Sequence, residues 1–169
     1  MQSISIRDAV REDAWLIREL AYKIWPVTYN EILTLQQLEY MLALLYDAQA
    51  LQDQMQKGIS FIIANEGDDA VGFASWGQVD KDTYKLHKLY VVPSQQGKGT
   101  GRLMIDHVIN DIKSKGARTL QLNVNRYNKA RHFYEKLGFT IIKEEDVDIG
   151  NGHFMNDYVM KREILTHEL

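Results

Sequence analysis

Gly97, Gly99 and Gly101 alternate with Lys98, Thr100 and Arg102, directly behind the apolar run Leu89-Tyr90-Val91-Val92-Pro93. A β-branched apolar run that passes through a glycine-rich turn into a helix N-terminus aims several unpaired backbone N–H groups at one point. Such a point binds anions, phosphate foremost. Spacing separates the phosphate loops. A P-loop requires G-x-x-x-x-G-K-[ST], whereas Lys98 is followed by Gly99. The dinucleotide fingerprint requires G-x-G-x-x-G, whereas these glycines run G-x-G-x-G. The pattern Q/R-x-x-G-x-G/A does fit, from Gln96 through Gly99 to Gly101. A bare glycine turn without a ligand is the alternative.

The elements that must position this loop follow from periodicity. Ser3 to Val10 alternates weakly, as a short strand does. Leu16, Leu20 and Ile24 form a helical stripe within Glu12 to Trp25, which Pro26 is expected to end. Thr34 and Gln37 stand in capping-box register ahead of Leu38, Met41, Leu42 and Leu45, with broken helical character onward to Lys57. Trp25-Pro26-Val27-Thr28-Tyr29 lies between the two helices, either as core or as the wall of a pocket. Ser60 to Asn65 and Ala70 to Gln78 read as a hairpin about Gly67-Asp68-Asp69, and Tyr84 to Val92 is the strand that feeds the loop.

Ile105, Val108, Ile109 and Ile112 then mark one face of a helix from Gly99 to Lys115, with Gly116 as its C-cap. Thr119 to Val124 is a strand and Asn125-Arg126-Tyr127 a turn. Lys129 to Leu137 is a short helix. Thr140 to Asp148 and Phe154 to Arg162 are strands around the loop Ile149-Gly150-Asn151-Gly152-His153. This order predicts an α/β fold with a mixed central sheet of six or seven strands and helices on both faces. The glycine loop sits at its parallel strand–helix–strand crossover.

Composition bounds the partners. With 169 residues, 45% hydrophobic, the chain has ample material for one globular domain over residues 1–169. A net charge of −3 implies no nucleic-acid partner. The absence of cysteine excludes disulfides, thiolate zinc sites and a cysteine nucleophile, no metal site is indicated, and a reducing cytoplasm is the expected location. No apolar run approaches the roughly 20 residues of a membrane span, and Met1 to Arg7 lacks a signal-peptide apolar core. An exposed strand edge near the C-terminal hairpin permits a homodimer.

A second segment agrees with the loop. Asn128-Lys129-Ala130-Arg131-His132-Phe133-Tyr134-Glu135-Lys136-Leu137-Gly138-Phe139 resembles the signature N-x-x-A-x-x-[FL]-Y-x-K-x-G-F of the GNAT N-acetyltransferases, and Gln96 to Gly101 resembles the coenzyme A pyrophosphate loop of the same family. The two segments fall within Tyr84 to Phe139, and the strand order resembles the family over the whole chain. The resemblance implies acetyl transfer from acetyl-CoA to an amine by direct attack in a ternary complex. It implies that the N–H groups of Gly97, Lys98, Gly99, Thr100, Gly101 and Arg102 hold the pyrophosphate, with Gln96 in the motif. Lys98 and Arg102 add charge or are solvated surface cations. It further implies that backbone groups of Leu89, Tyr90 and Val91 pair with the pantetheine arm, that the N–H near Val91 polarises the thioester carbonyl, and that Asn125 or Asn128, Arg131 and Tyr134 border the cofactor.

Two departures accompany it. Tyr127 occupies the position where the family usually has asparagine, leaving Asn125 and Asn128 to either side. Lys85 occupies the position where many relatives carry a glutamate base. Tyr134 is then the general acid for the departing thiolate, or else a core tyrosine. An alkylamine must first lose a proton, which costs roughly 4–5 kcal/mol at pH 7. His87, on the strand face of Leu89, is the candidate base; a structural histidine or bridging water is the alternative, and His132 points away from Tyr134. Glu144, Glu145, Asp146, Asp148 and Asp157 would suit a cationic acceptor such as a polyamine or lysine side chain, or form a solvated rim. The expected partner is a small-molecule amine. Acetylation of a protein N-terminus or lysine, or non-catalytic sensing of acyl-CoA, are the competing readings.

Overall fold

The computed structural model describes residues 3–164. Strand β1 is Ile4–Asp8, followed by helices α1 (Ala14–Thr28), α2 (Leu35–Leu45) and α3 (Ala48–Gln56). Next come β2 (Ser60–Glu66), β3 (Asp69–Gln78) and β4 (Thr83–Val91), then α4 (Thr100–Ser114), β5 (Thr119–Asn125), α5 (Ala130–Lys136), β6 (Thr140–Gly150) and β7 (His153–Glu163). The seven strands lie in the order β1-β2-β3-β4-β5-β7-β6. β4 and β5 pair in parallel, joined by α4; β1–β2, β2–β3, β5–β7 and β6–β7 pair antiparallel. The sheet is therefore mixed and seven-stranded, with the parallel crossover at the glycine loop.

The chain packs as two compact units. The first holds residues through Gly77 and His87–Val108; the second holds Gln78–Leu86 and residues from Ile109 onward. In the first, Phe61, Ile62, Ile63 and Ala64 of β2 and Val71 to Gly77 of β3 are all buried, the continuous apolar run of strands covered on both faces. Of the predicted α1 stripe, Leu20 and Ile24 are buried and Leu16 is half-buried; Ile17 and Ala21 complete the buried face. In the second, Leu120, Leu122 and Val124 of β5 are buried with Phe139 and Met160. β6, at the sheet edge, is exposed through most of its length and carries Lys143, Glu144, Glu145, Asp146 and Asp148. Charges on an edge oppose pairing with another chain.

Three boundaries differ from the sequence reading. α1 does not stop at Pro26 but runs on to Thr28: the proline forfeits its own N–H bond, while beyond it the Tyr29 N–H still donates to Trp25 O at 2.9 Å. The broken helical region after α2 is a separate helix, α3, begun by Asp47, whose carboxylate accepts from the Ala50 N–H at 3.3 Å. The final hairpin turns in two residues rather than five. Asn151 (φ 53°) and Gly152 (φ 78°) are both left-handed, the Asn-Gly turn whose twist matches the flanking strands. Thr34 caps α2 as expected, accepting from the Gln37 N–H at 3.1 Å.

Asp47 is exposed and its carboxylate contributes to fixing the start of α3. Asp47→Ala should lower the urea-unfolding free energy by about 1 kcal/mol; an unchanged midpoint would show that α3 is fixed by packing alone.

Candidate functional site

In the first unit the glycine loop is built from β4 outward. A Cβ on Gly72 would lie 2.9 Å from Tyr90 O and 3.0 Å from Met104 Cε, so glycine is what lets β3 pass this close to β4 and α4. The Val92 N–H donates to Val71 O at 2.8 Å, and Pro93–Gln95 then makes one 3-10 turn. Inside the loop, the buried Thr100 hydroxyl donates to the buried Gln95 Oε1 at 3.0 Å. This bond ties the loop's entry to the first turn of α4. Gly97 (φ 80°) and Gly99 (φ 84°) are left-handed, and a Cβ on either would meet nothing within 4 Å. Backbone conformation thus requires these two glycines, and the space above them is open. Gly101 is helical, in the first turn of α4. The leading N–H groups of a helix have no intrahelical acceptor. Here they open on an exposed loop flanked by exposed Lys98 and Arg102, with Gln96 exposed beside them. An anionic diphosphate fits that arrangement.

Leu89, Tyr90 and Val91 are half-buried. β4 pairs with β5 only over Thr83–Leu86 with Thr119–Leu122, although β4 runs on to Val91. The Tyr90 side chain turns to α1, its hydroxyl 3.0 Å from that of Tyr29 and its ring centroid 5.7 Å from Trp25. Trp25 and Tyr29 are buried in this aromatic cluster. His87 is exposed on β4, and a Cβ on Gly77 would lie 3.5 Å from its Nε2.

In the second unit, β5 ends at Asn125, whose Oδ1 accepts from the Tyr127 N–H at 2.9 Å. Asn128 Oδ1 accepts from the Ala130 N–H at 2.9 Å. Both asparagines therefore shape the turn that launches α5. Tyr134 is buried on α5, its ring edge-on to Phe133 and Phe139 with centroids 5.3 and 5.7 Å apart. The Arg131 guanidinium lies 5.5 Å over the Tyr158 ring and 3.7 Å from Glu135. His132 is exposed, with Nδ1 3.4 Å from Glu135.

The acidic residues of the final hairpin divide. Glu144 and Asp146 are exposed and pair with Arg126, and Asp148 accepts from the Gly150 N–H at 2.8 Å. They form a solvated, self-paired rim. Asp157 is different: it is 6% exposed, its Oδ2 accepts from Asn123 Nδ2 at 3.2 Å, and its Oδ1 is buried without a partner. Burial raises its carboxyl above the ordinary value, a rise the Asn123 bond and the positive charge of Lys85 partly offset. Register puts Lys85 beside Gln121, and Asn125 beside Asp157. Gln121, Asn123 and Asn125 share one face of β5. Asp157 therefore sits on the same sheet face as Lys85. Sequence reading grouped Asp157 with the rim; only the β5–β7 pairing sets it apart. Among the described residues no cluster of His, Cys, Asp and Glu could hold a metal ion.

Residues 30–160 match the acetyltransferase (GNAT) domain, and the chain belongs to the GNAT acetyltransferase family. The family is one of transferases, with acetyl-CoA as the acetyl donor. The chain is similar to the [ribosomal protein bS18]-alanine N-acetyltransferase of Haemophilus influenzae, 36% identical over 89 residues, which cover 53% of this chain and 57% of that protein. It is also similar to an L-amino acid N-acyltransferase of Escherichia coli, 28% identical over 89 residues, covering 50% and 52%. The chain thus spans about half the length of these curated relatives. The PaiA N-acetyltransferase of Thermoplasma acidophilum, solved with coenzyme A, superposes with a TM-score of 0.82 over 95% of this chain and 99% of that one, at 26% identity.

Because the folded state raises the Asp157 carboxyl, its ionised form opposes folding at neutral pH; the penalty fades as pH falls through the ordinary carboxylate range. Asp157→Asn should therefore unfold at higher urea than the parent at neutral pH, with the gain vanishing in acid. A loss of stability at neutral pH would contradict this assignment.

Proposed function

We propose that the chain is an acetyl-CoA-dependent N-acetyltransferase acting on a primary amine of a small molecule, by direct attack in a ternary complex. The observation that carries this reading is the strand–loop–helix crossover, where left-handed Gly97 and Gly99 are held by the Gln95–Thr100 bond over an exposed helix N-terminus. Backbone N–H groups from Gly97 to Arg102 would hold the pyrophosphate, with Gln96 in the motif and Lys98 and Arg102 adding charge. Backbone groups of Leu89, Tyr90 and Val91 would pair with the pantetheine arm, and Asn125, Asn128 and Arg131 would border it.

Acetyl-CoA supplies an activated thioester. In the proposed reaction the acceptor nitrogen forms a bond to the acetyl carbon, the carbon–sulfur bond breaks, and Tyr134 gives its phenolic proton to the departing thiolate. A base must first remove a proton from the acceptor ammonium. His87, on β4, is one candidate. Asp157 is the better supported, since a buried carboxylate with a raised proton affinity and one unpartnered oxygen can accept that proton. The acylated nitrogen then gives its excess proton to the tyrosinate, which restores Tyr134 and leaves the amide product and the free thiol.

A second reading, acetylation of a protein N-terminus, is favoured by the similarity to an enzyme named for acetylating an alanine of a ribosomal protein. Following thiol release from acetyl-CoA across a panel of small amines and alanine-started peptides separates the two. Tyr134→Phe should lower kcat about 10²- to 10⁴-fold while coenzyme A affinity changes little; an unchanged kcat would remove Tyr134 from the acid role. Asp157→Asn should lower kcat and abolish its rise with pH through the carboxylate ionisation. If His87→Gln does this instead, His87 is the base.

A further inference from the structure

Lys88 of β4 is a cation without a counter-ion. Its Nζ donates to Gln54 Oε1 at 2.9 Å and lies 5.6 Å from the ring centroids of both Tyr46 and Phe61. No carboxylate pairs with it among the described residues, and burial alone lowers its ammonium to about 8. An ammonium has three donors, and Gln54 takes one.

The surroundings offer more of the same polarity. Among the described residues of the first unit, Ser75 Oγ is buried without a partner, and the buried Trp25 Nε1 and Tyr46 hydroxyl have no partner beyond each other. The Tyr46 ring meets Trp25 at 5.4 Å and Phe73 at 5.9 Å, and Ser75 is paired with Phe61 in the β2–β3 register. All three can donate, and burial holds the Tyr46 phenol firmly protonated. A buried ammonium with two donors to spare, set against the Tyr46 and Phe61 rings, matches a ligand that is anionic and only accepts. A carboxylate is such a group. A cationic acceptor would meet Lys88 directly, and the acidic residues of the final hairpin that would favour one are mostly rim-exposed or self-paired.

We infer that Lys88, set beside this aromatic cluster, binds the carboxylate of the acceptor, which makes the acceptor a free amino acid rather than a polyamine or a peptide. The inference rests on the proposed acetyl transfer for its biological meaning. Lys88 directly precedes Leu89, Tyr90 and Val91 on β4, the residues whose backbone is proposed to hold the thioester arm, so acceptor recognition and acetyl donor share one strand.

The first test needs no turnover. Protein saturated with coenzyme A is titrated with an N-acetyl amino acid and, separately, with its carboxamide, in two buffers of different ionisation enthalpy at about pH 9. The acid should bind with uptake of a proton as Lys88 is recharged, and the carboxamide should bind weakly and without uptake. Equal binding of the two would overturn the inference.

The second test uses steady-state kinetics on amino acids and their carboxamides. Lys88→Met should raise the KM for amino acids about 10- to 100-fold, leave kcat nearly unchanged, and leave carboxamides unaffected. Peptides or polyamines preferred over free amino acids by the parent protein would overturn it. If no amine is acetylated while the N-acetyl acid still binds with proton uptake, the transferase reading fails and the carboxylate site stands.

Discussion

The need to give every backbone N–H a partner shapes this molecule more than any side-chain contact. Parallel pairing between β4 and β5 ends at Leu86 with Leu122, yet β4 continues to Val91 before the chain turns into the glycine loop. At the loop's end, the leading N–H groups of α4 have no acceptor within the helix. The strand end and the helix start therefore present main-chain donors within one short stretch. Main-chain donors are already oriented, and they recognise a ligand by its acceptors whatever side chains surround them.

That constraint explains which parts of the chain could be read in advance. The loop was legible because left-handed glycines and spacing leave a one-dimensional trace at Gly97 and Gly99. α5 was legible for the same reason, through Ala130, Tyr134 and Gly138. Capping gave the start of α2 at Thr34. Edge and turn chemistry is less legible: Asn151-Gly152 is the stronger hairpin signal, but Gly150 just before it makes the stretch look like a longer loop. Pro26 reads as a stop, although beyond it the Tyr29 N–H still reaches Trp25 O.

The residues that sequence does not single out are those whose character comes from long-range packing. Asp157 stands one strand from the charged edge and shares its composition. Its distinction comes from pairing with β5, whose Asn123 holds one oxygen while the other is orphaned. Lys88 adjoins His87 and differs from Lys85 only by parity along β4, yet that parity sets it over Tyr46 and Phe61. Gln95 and Thr100 look like ordinary loop residues until burial pairs them. Asp157 and Lys88 each carry a desolvated charge that weakens its own ionised form. A charge held this way contributes less to folding than a solvated or paired one.

The most direct test of the central claim is the mass of the protein after mixing with acetyl-CoA, first alone and then with an acceptor amine. Direct transfer predicts an unmodified protein in both cases, with free thiol and acetylated amine appearing together only when the amine is present. Thiol release without amine, accompanied by an acetylated protein, would contradict direct attack and place the acetyl group on the chain itself.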